Sequence, residues 1–162
     1  MPRTRWLDDE EQTTWQSFLI ASKLMMDRVE RELKRQSGLS FAYYDVLSRL
    51  SEAPGRSMRM ADLAAACVFD RSRLSHTIDR LARDGWVRRD ADVDGRGQFA
   101  VLTAEGVKVV RSAARQHVEQ VRELVFDRLS REQQKSLREI SALLATGMAD
   151  DATLLRMGFP VQ

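Results

Sequence analysis

Between Asp70 and Thr103 the sequence carries helix and hairpin signals in one uninterrupted order, DRSRLSHTIDRLARDGWVRRDADVDGRGQFAVLT. Few architectures accept that order. Asp70 has the short acceptor side chain of a helix N-cap. Behind it, Leu74, Ile78 and Leu81, with Ala82 beside them, recur at steps of three and four, as on the buried face of a helix. Gly85 suits the left-handed position just past a helix end. Two segments of period-two character follow, Trp86–Asp90 and Gln98–Leu102. The Asp94-Gly95 pair between them is a hairpin-turn signal. The reading is a helix over Asp70–Asp84 and then a β-hairpin whose tip carries Arg96.

The segments upstream extend the pattern. Ser40 is placed to cap a helix FAYYDVLSRLSE, with Tyr43, Val46, Leu47 and Leu50 as its buried stripe and Pro54-Gly55 as its stop. A short extended piece, Ser57–Met60, precedes a small alanine-rich helix, ADLAAACV, whose short side chains let another helix pack close.

Long amphipathic segments flank this core. The first runs from about Asp8 to Gln36, with a D-x-x-E start at Asp8 and Glu11. Its stripe is Trp15, Phe18, Leu19, Met25, Met26, Val29 and Leu33. Thr103 caps a second, from about Ala104 to Arg128, striped by Val107, Val110, Ala114, His117, Val118, Val121, Leu124 and Val125. Ser130 and Gln133 form a capping box for a last helix that buries Leu137, Ile140, Leu143 and Leu144 and ends near Gly147. The tail DDATLLRMGFPVQ reads as a loose end or a dimer arm. The fold class expected is mainly α with a small β-hairpin wing, in one domain over 1–162. The winged helix-turn-helix occupies about 40–103, and dimerisation helices occupy about 8–36 and 104–147.

Charge limits how such a chain can bind a polyanion. The 162 residues carry a formal net charge of only +2. From Arg56 to Arg96 nine arginines stand against seven aspartates. That excess does not hold a duplex unaided, so the arginines must be sorted onto one face.

A helix, a tight connection, a second helix and a β-hairpin together point to DNA. The major groove, about 12 Å wide, admits one helix, and the N-terminal end of the recognition helix reaches the base edges. Arg71 and Arg73 have the donors for guanine. Ser72, Ser75, His76 and Arg80 can bond phosphates or bases. Arg96 at the wing tip suits the narrow minor groove, and Asp94 is placed to hold it. The competing readings are a solvated helix face and a solvated turn with a weak surface ion pair.

The run from Asp70 through Gly106 resembles the signature of the MarR family of bacterial transcriptional regulators. The recognition helix, Gly85, the D-x-R wing Asp94–Arg96, Leu102-Thr103 and Gly106 carry the resemblance, and the long flanking helices extend it over nearly the whole chain. Ala100 departs mildly, where a β-branched residue is common. The resemblance implies an obligate homodimer whose recognition helices, ~34 Å apart, read a pseudo-palindrome. It also implies repression of neighbouring genes and release from DNA by a small phenolic or anionic effector. Trp15, Phe18, Tyr43 and Tyr44 are candidates for that ligand site, with core packing as the plain alternative. His117 reads as a satisfied core or interface histidine, and Cys67, the only cysteine, as a buried and inert thiol.

Other classes find little support. No nucleophile–base pair, phosphate loop or metal-ligand spacing is present, so no catalytic residue, cofactor or metal is expected. No apolar run approaches the roughly 20 residues that span a bilayer, and a cytoplasmic location is expected. The alternative function is a DNA-organising protein of the same fold that binds without sequence choice.

Overall fold

A computed structural model describes residues 4–91 and 97–159. The first helix, α1 (Asp9–Ser37), starts where the D-x-x-E signal places it. The Asp8 carboxylate accepts from the Glu11 N–H at 2.8 Å, and the Glu11 carboxylate accepts from the Asp8 N–H at 3.0 Å. It stops at Gly38. Ser40 caps α2 (Phe41–Glu52) by accepting from Tyr43 N–H. Strand β1 (Ser57–Arg59) and helix α3 (Met60–Ala66) follow, then α4 (Arg71–Arg83), capped by Asp70. Strands β2 (Val87–Ala91) and β3 (Gln98–Leu102) lead into α5 (Ala104–Val121), capped by Thr103. A π-helical turn over Arg122–Phe126, α6 (Arg131–Thr146) and α7 (Asp151–Arg156) complete the chain.

The core forms where the apolar faces of α2, α3, α4 and the sheet meet. Leu39, Val46, Leu47, Leu50, Leu63, Leu74, Ile78, Leu81 and Ala100 are fully buried there. Val29 and Leu33 from α1 and Val107, Val110 and Ala113 from α5 close the cluster. Gln120 ties the two long helices together, donating from Nε2 to the Arg28 carbonyl at 3.0 Å.

Several expectations are corrected. The extended piece at Ser57 is a strand, making the sheet three-stranded and antiparallel in the order β1-β3-β2, with Ser57 opposite Val101 and Val87 opposite Leu102. In α2 it is Tyr44, not Tyr43, that is buried with Val46, Leu47 and Leu50. Thr77 joins the buried face of α4, its hydroxyl returned to the Arg73 carbonyl at 2.9 Å. The regular α-helix after Thr103 ends at Val121, seven residues before Arg128. As far as Phe159 the tail is not a loose end: Leu154 of α7 is buried, α7 packs on α3, and Arg49 donates to the Met157 carbonyl at 2.6 Å.

The flanking stripes are helical as expected, but within one chain they are only partly covered. Trp15, Phe18, Met25 and Met26 of α1 are exposed, as is Val118 of α5. The expected burial of Leu137, Ile140, Leu143 and Leu144 in α6 does not occur within the chain; Leu143 is 74% exposed. Among the described residues nothing in the same chain covers that face.

Candidate nucleic-acid interface

Helix α4 is held as a projecting rod. Its inner face is anchored by Leu74, Thr77, Ile78 and Leu81, all buried. Its outer face therefore presents Arg71, Ser72, Arg73, His76 and Arg80 to solvent. The N-cap fixes the start, with Asp70 Oδ1 accepting from Arg73 N–H at 2.7 Å.

Intramolecular pairing sorts the arginines. Arg80 pairs with Asp84 at 3.4 Å and Arg88 with Asp90 at 2.8 Å. The hydrogen bond between Arg88 and Asp90 raises the guanidinium's pKa and lowers the carboxyl's. Arg83 donates to the Asp79 carbonyl. Arg59 lies over the Phe99 ring, 5.1 Å from its centroid. Arg73 is stacked more closely, 4.1 Å above Phe69. Stacking engages the face of a guanidinium and leaves its N–H edge open to an acceptor. Among the described residues no carboxylate lies within ion-pair distance of Arg71 or Arg73. Arg71 and Arg73 thus keep their donors open at the N-terminal end of α4.

Arg89 is a residue that sequence reasoning passed over. From β2 its Nη2 donates to Asp79 Oδ1 at 2.7 Å, to Ser75 Oγ at 3.0 Å and to the Ser75 carbonyl at 3.1 Å, while Nη1 donates to Gln98 Oε1 at 3.0 Å. One guanidinium thereby joins α4, β2 and β3. Its Nε is buried without a partner. The pattern Asp79…Arg89 was visible in the sequence, but only the approach of strand to helix makes it a contact. Ser75, expected to reach DNA, is turned toward this arginine. A cleft of about 440 Å³ lies between α4 and the wing, with Arg59, Arg71 and Arg89 on its walls.

The base of the wing is fixed by Thr103. Its hydroxyl donates to the Gly85 carbonyl at 2.8 Å and accepts from Gly106 N–H at 3.0 Å, and its own N–H donates to the Trp86 carbonyl. Asp94 and Arg96, the predicted wing-tip residues, lie outside the described residues.

The predicted ligand-site residues fall into two groups. Trp15 and Phe18 are about half exposed, their rings 6.3 Å apart on α1. The Tyr44 and His117 rings lie 4.6 Å apart and tilted by 52°, with Phe41 6.5 Å from the same histidine of α5, and Tyr43 is half-buried. Within the single chain His117 is not satisfied: its Nδ1 is buried without a partner, and burial lowers its pKa. Burial also pushes the Cys67 thiol up to about 12, with the nearby Asp45 carboxylate adding to the shift. Among the described residues no cluster of His, Cys, Asp or Glu fits a metal ion, and no helix is long and apolar enough to cross a membrane.

A helix with open arginines at its N-terminal end, braced against a β-hairpin, has the form of a winged helix-turn-helix DNA-binding protein. Comparison with known proteins agrees. A model of the MarR family matches residues 37–97. The chain is 46% identical to Sco3205, a MarR family transcriptional regulator from Streptomyces coelicolor solved in complex with DNA; the match covers 93% of this chain and 94% of that one, with a TM-score of 0.89. AbsC, a MarR family regulator from the same organism, is 38% identical, with 90% and 98% covered and a TM-score of 0.85. The HTH-type transcriptional regulator PecS of Dickeya dadantii (strain 3937) is 28% identical over 120 residues, spanning 72% of this chain and 71% of PecS. The chain belongs to the MarR family and is a DNA-binding transcriptional regulator, not an enzyme.

Proposed function

We propose that the chain acts as a homodimeric repressor that reads a pseudo-palindromic operator. Helix α4 enters the major groove, with Arg71, Ser72, Arg73 and His76 facing DNA and Arg80 toward a phosphate. The wing over 91–97 lies along the minor groove, where Arg96, steadied by Asp94, inserts. The observation that carries this reading is the placement of Arg71 and Arg73, open to acceptors at the leading end of a rigidly anchored helix. The presence of DNA in the Sco3205 structure supports it.

The dimer rests on the uncovered stripes of α1, α5 and α6. Exposed apolar residues such as Phe18 on α1 and Leu137, Ile140 and Leu144 on α6 favour a second layer, and a second copy supplies one of matching chemistry. Residues 1–162 then act as one domain, with the outer helices setting the spacing of two readers. A small aromatic or anionic effector is assigned to the neighbourhood of Tyr43 and Tyr44, where the buried His117 Nδ1 has no partner; Trp15 and Phe18 form a separate pair on α1.

Sedimentation of the full chain is expected to give a dimer, and selection from random duplexes an inverted repeat with half-sites about one helical turn apart. Arg96→Ala weakens binding to that duplex and leaves the dimer folded. Equal affinity for the selected and random duplexes at one salt concentration would overturn the sequence-reading function in favour of a DNA-organising protein. A stable monomer would overturn the dimer.

A further inference from the structure

Three helices of this chain, α1, α4 and α7, end on a left-handed glycine: Gly38 at φ 72°, Gly85 at φ 76° and Gly158 at φ 73°. Helix α3 ends the same way, but on Val68, at φ 53°. Val68 N–H donates to the Ala65 carbonyl and Phe69 N–H to the Ala64 carbonyl, the same paired closure that Gly85 and Trp86 make at the end of α4. In this conformation a side chain meets the following carbonyl oxygen, and a β-branched one is a rare occupant. Packing does not compensate, because Val68 is 73% exposed. From α2 to His117 it is the only large apolar side chain exposed among the described residues.

Its place suggests what the side chain does there. Val68 stands two residues before the cap Asp70, at the leading end of α4, and next to Phe69, whose ring carries Arg73. Around it the reading face is polar. The one apolar feature of a base edge in the major groove is the 5-methyl group of thymine. A strained residue held where folding does not need it points to function.

We infer that Val68 is a specificity-determining residue whose isopropyl group packs on a thymine methyl beside the base pair that Arg73 contacts. The inference rests on the proposed entry of α4 into the major groove. Asp70 and the α3–α4 turn hold the methyls at the helix tip, so a thymine fits where cytosine, without the methyl, leaves an apolar surface against solvent.

The test uses the full-length protein and the duplex it selects from a random pool. Each thymine is replaced in turn by deoxyuridine, which removes only the methyl. Wild type is expected to lose about fourfold in affinity at one thymine per half-site, the worth of one buried methyl group. Val68→Gly and Val68→Asn both tolerate the left-handed backbone; they are expected to melt higher than wild type and to bind the thymine and deoxyuridine duplexes equally at that position. Two results overturn the inference: wild type indifferent to every replacement, or variants that keep the wild-type ratio at all of them. An equal loss on every duplex also overturns it, since that reports altered helix placement rather than a methyl contact. If wild type selects no duplex at all, the sequence-reading function itself has failed, which is a separate outcome from a selected duplex read without Val68.

Discussion

Arg89 Nη2 lies 2.7 Å from Asp79 Oδ1, so strand β2 and helix α4 are joined by one ion pair. The Asp79 side chain is 56% exposed, so the charge attraction alone contributes little. The geometric role is larger, because the same guanidinium also holds Ser75 and Gln98. Arg89→Ala is expected to lower stability by about 1–2 kcal/mol through the acceptors it strands. If the residue aims the wing, Arg96→Ala costs less affinity in the Arg89→Ala background than in wild type. A double-mutant cycle on the selected duplex measures this; additive losses would refute the positioning role.

Arg73 is expected to read a base. Arg73→Ala should cost ~1–3 kcal/mol of affinity on the selected duplex and much less on random DNA. Arg73→Lys keeps the charge and loses the planar fork, so it should retain non-specific binding and lose discrimination. Phe69→Leu removes the stacking surface and should give about 0.5–1 kcal/mol of the same loss. Equal losses on both duplexes would reduce Arg73 to a phosphate contact.

Gly106 of α5 lies against the base of the wing. A Cβ there would overlap the Trp86 carbonyl oxygen and sit 2.7 Å from Leu102 Cδ1. Backbone has little room to yield, so Gly106→Ala is expected to destabilise by about 1–3 kcal/mol. Urea unfolding of the variant checks this, and an unchanged midpoint would mean that the junction relaxes.

His117 gives stability a pH dependence of known sign. Burial lowers its pKa in the folded chain below the ordinary 6.5. The unfolded chain therefore binds more protons in the window just under 6.5, and stability falls as pH drops through it. Above 6.5 the contribution is complete. His117→Phe, which keeps the ring beside Tyr44, should flatten the melting temperature across that window.

Cys67 should be inert. With its pKa near 12 and its side chain buried, thiolate is scarce at neutral pH. Iodoacetamide is expected to leave the native protein unlabelled and to modify it on unfolding. Rapid native labelling would reopen a redox role.

Much of the fold was legible because it is written in local signals. The caps at Asp8, Ser40, Asp70, Thr103 and Ser130 all make the bonds their side chains announce. Gly38 and Gly85 stop helices where their freedom is needed. The pairing of β1 with β3 was not legible, since three residues carry no periodicity and their partners lie forty or more positions away. The tail misled for a similar reason: Leu154 is buried by α3, and nothing near it in sequence says so.

The candidate site divides in the same way. By itself the sequence determined most of the outer face of α4, because a helical period and a buried stripe place Arg71, Ser72, Arg73, His76 and Arg80 there; Ser75, turned toward Arg89, is the exception. It also determined that charge was too scarce to bind DNA by attraction alone. Only the tertiary structure decided which arginines remain open. Asp79, Asp84 and Asp90 engage Arg89, Arg80 and Arg88, while Arg71 and Arg73 keep their donors. Pairing depends on distances between elements, and those are set when the wing closes on the helix. The tertiary structure likewise exposed Val68 as the strained end of α3, since a backbone angle belongs to the folded turn and not to the letter at that position.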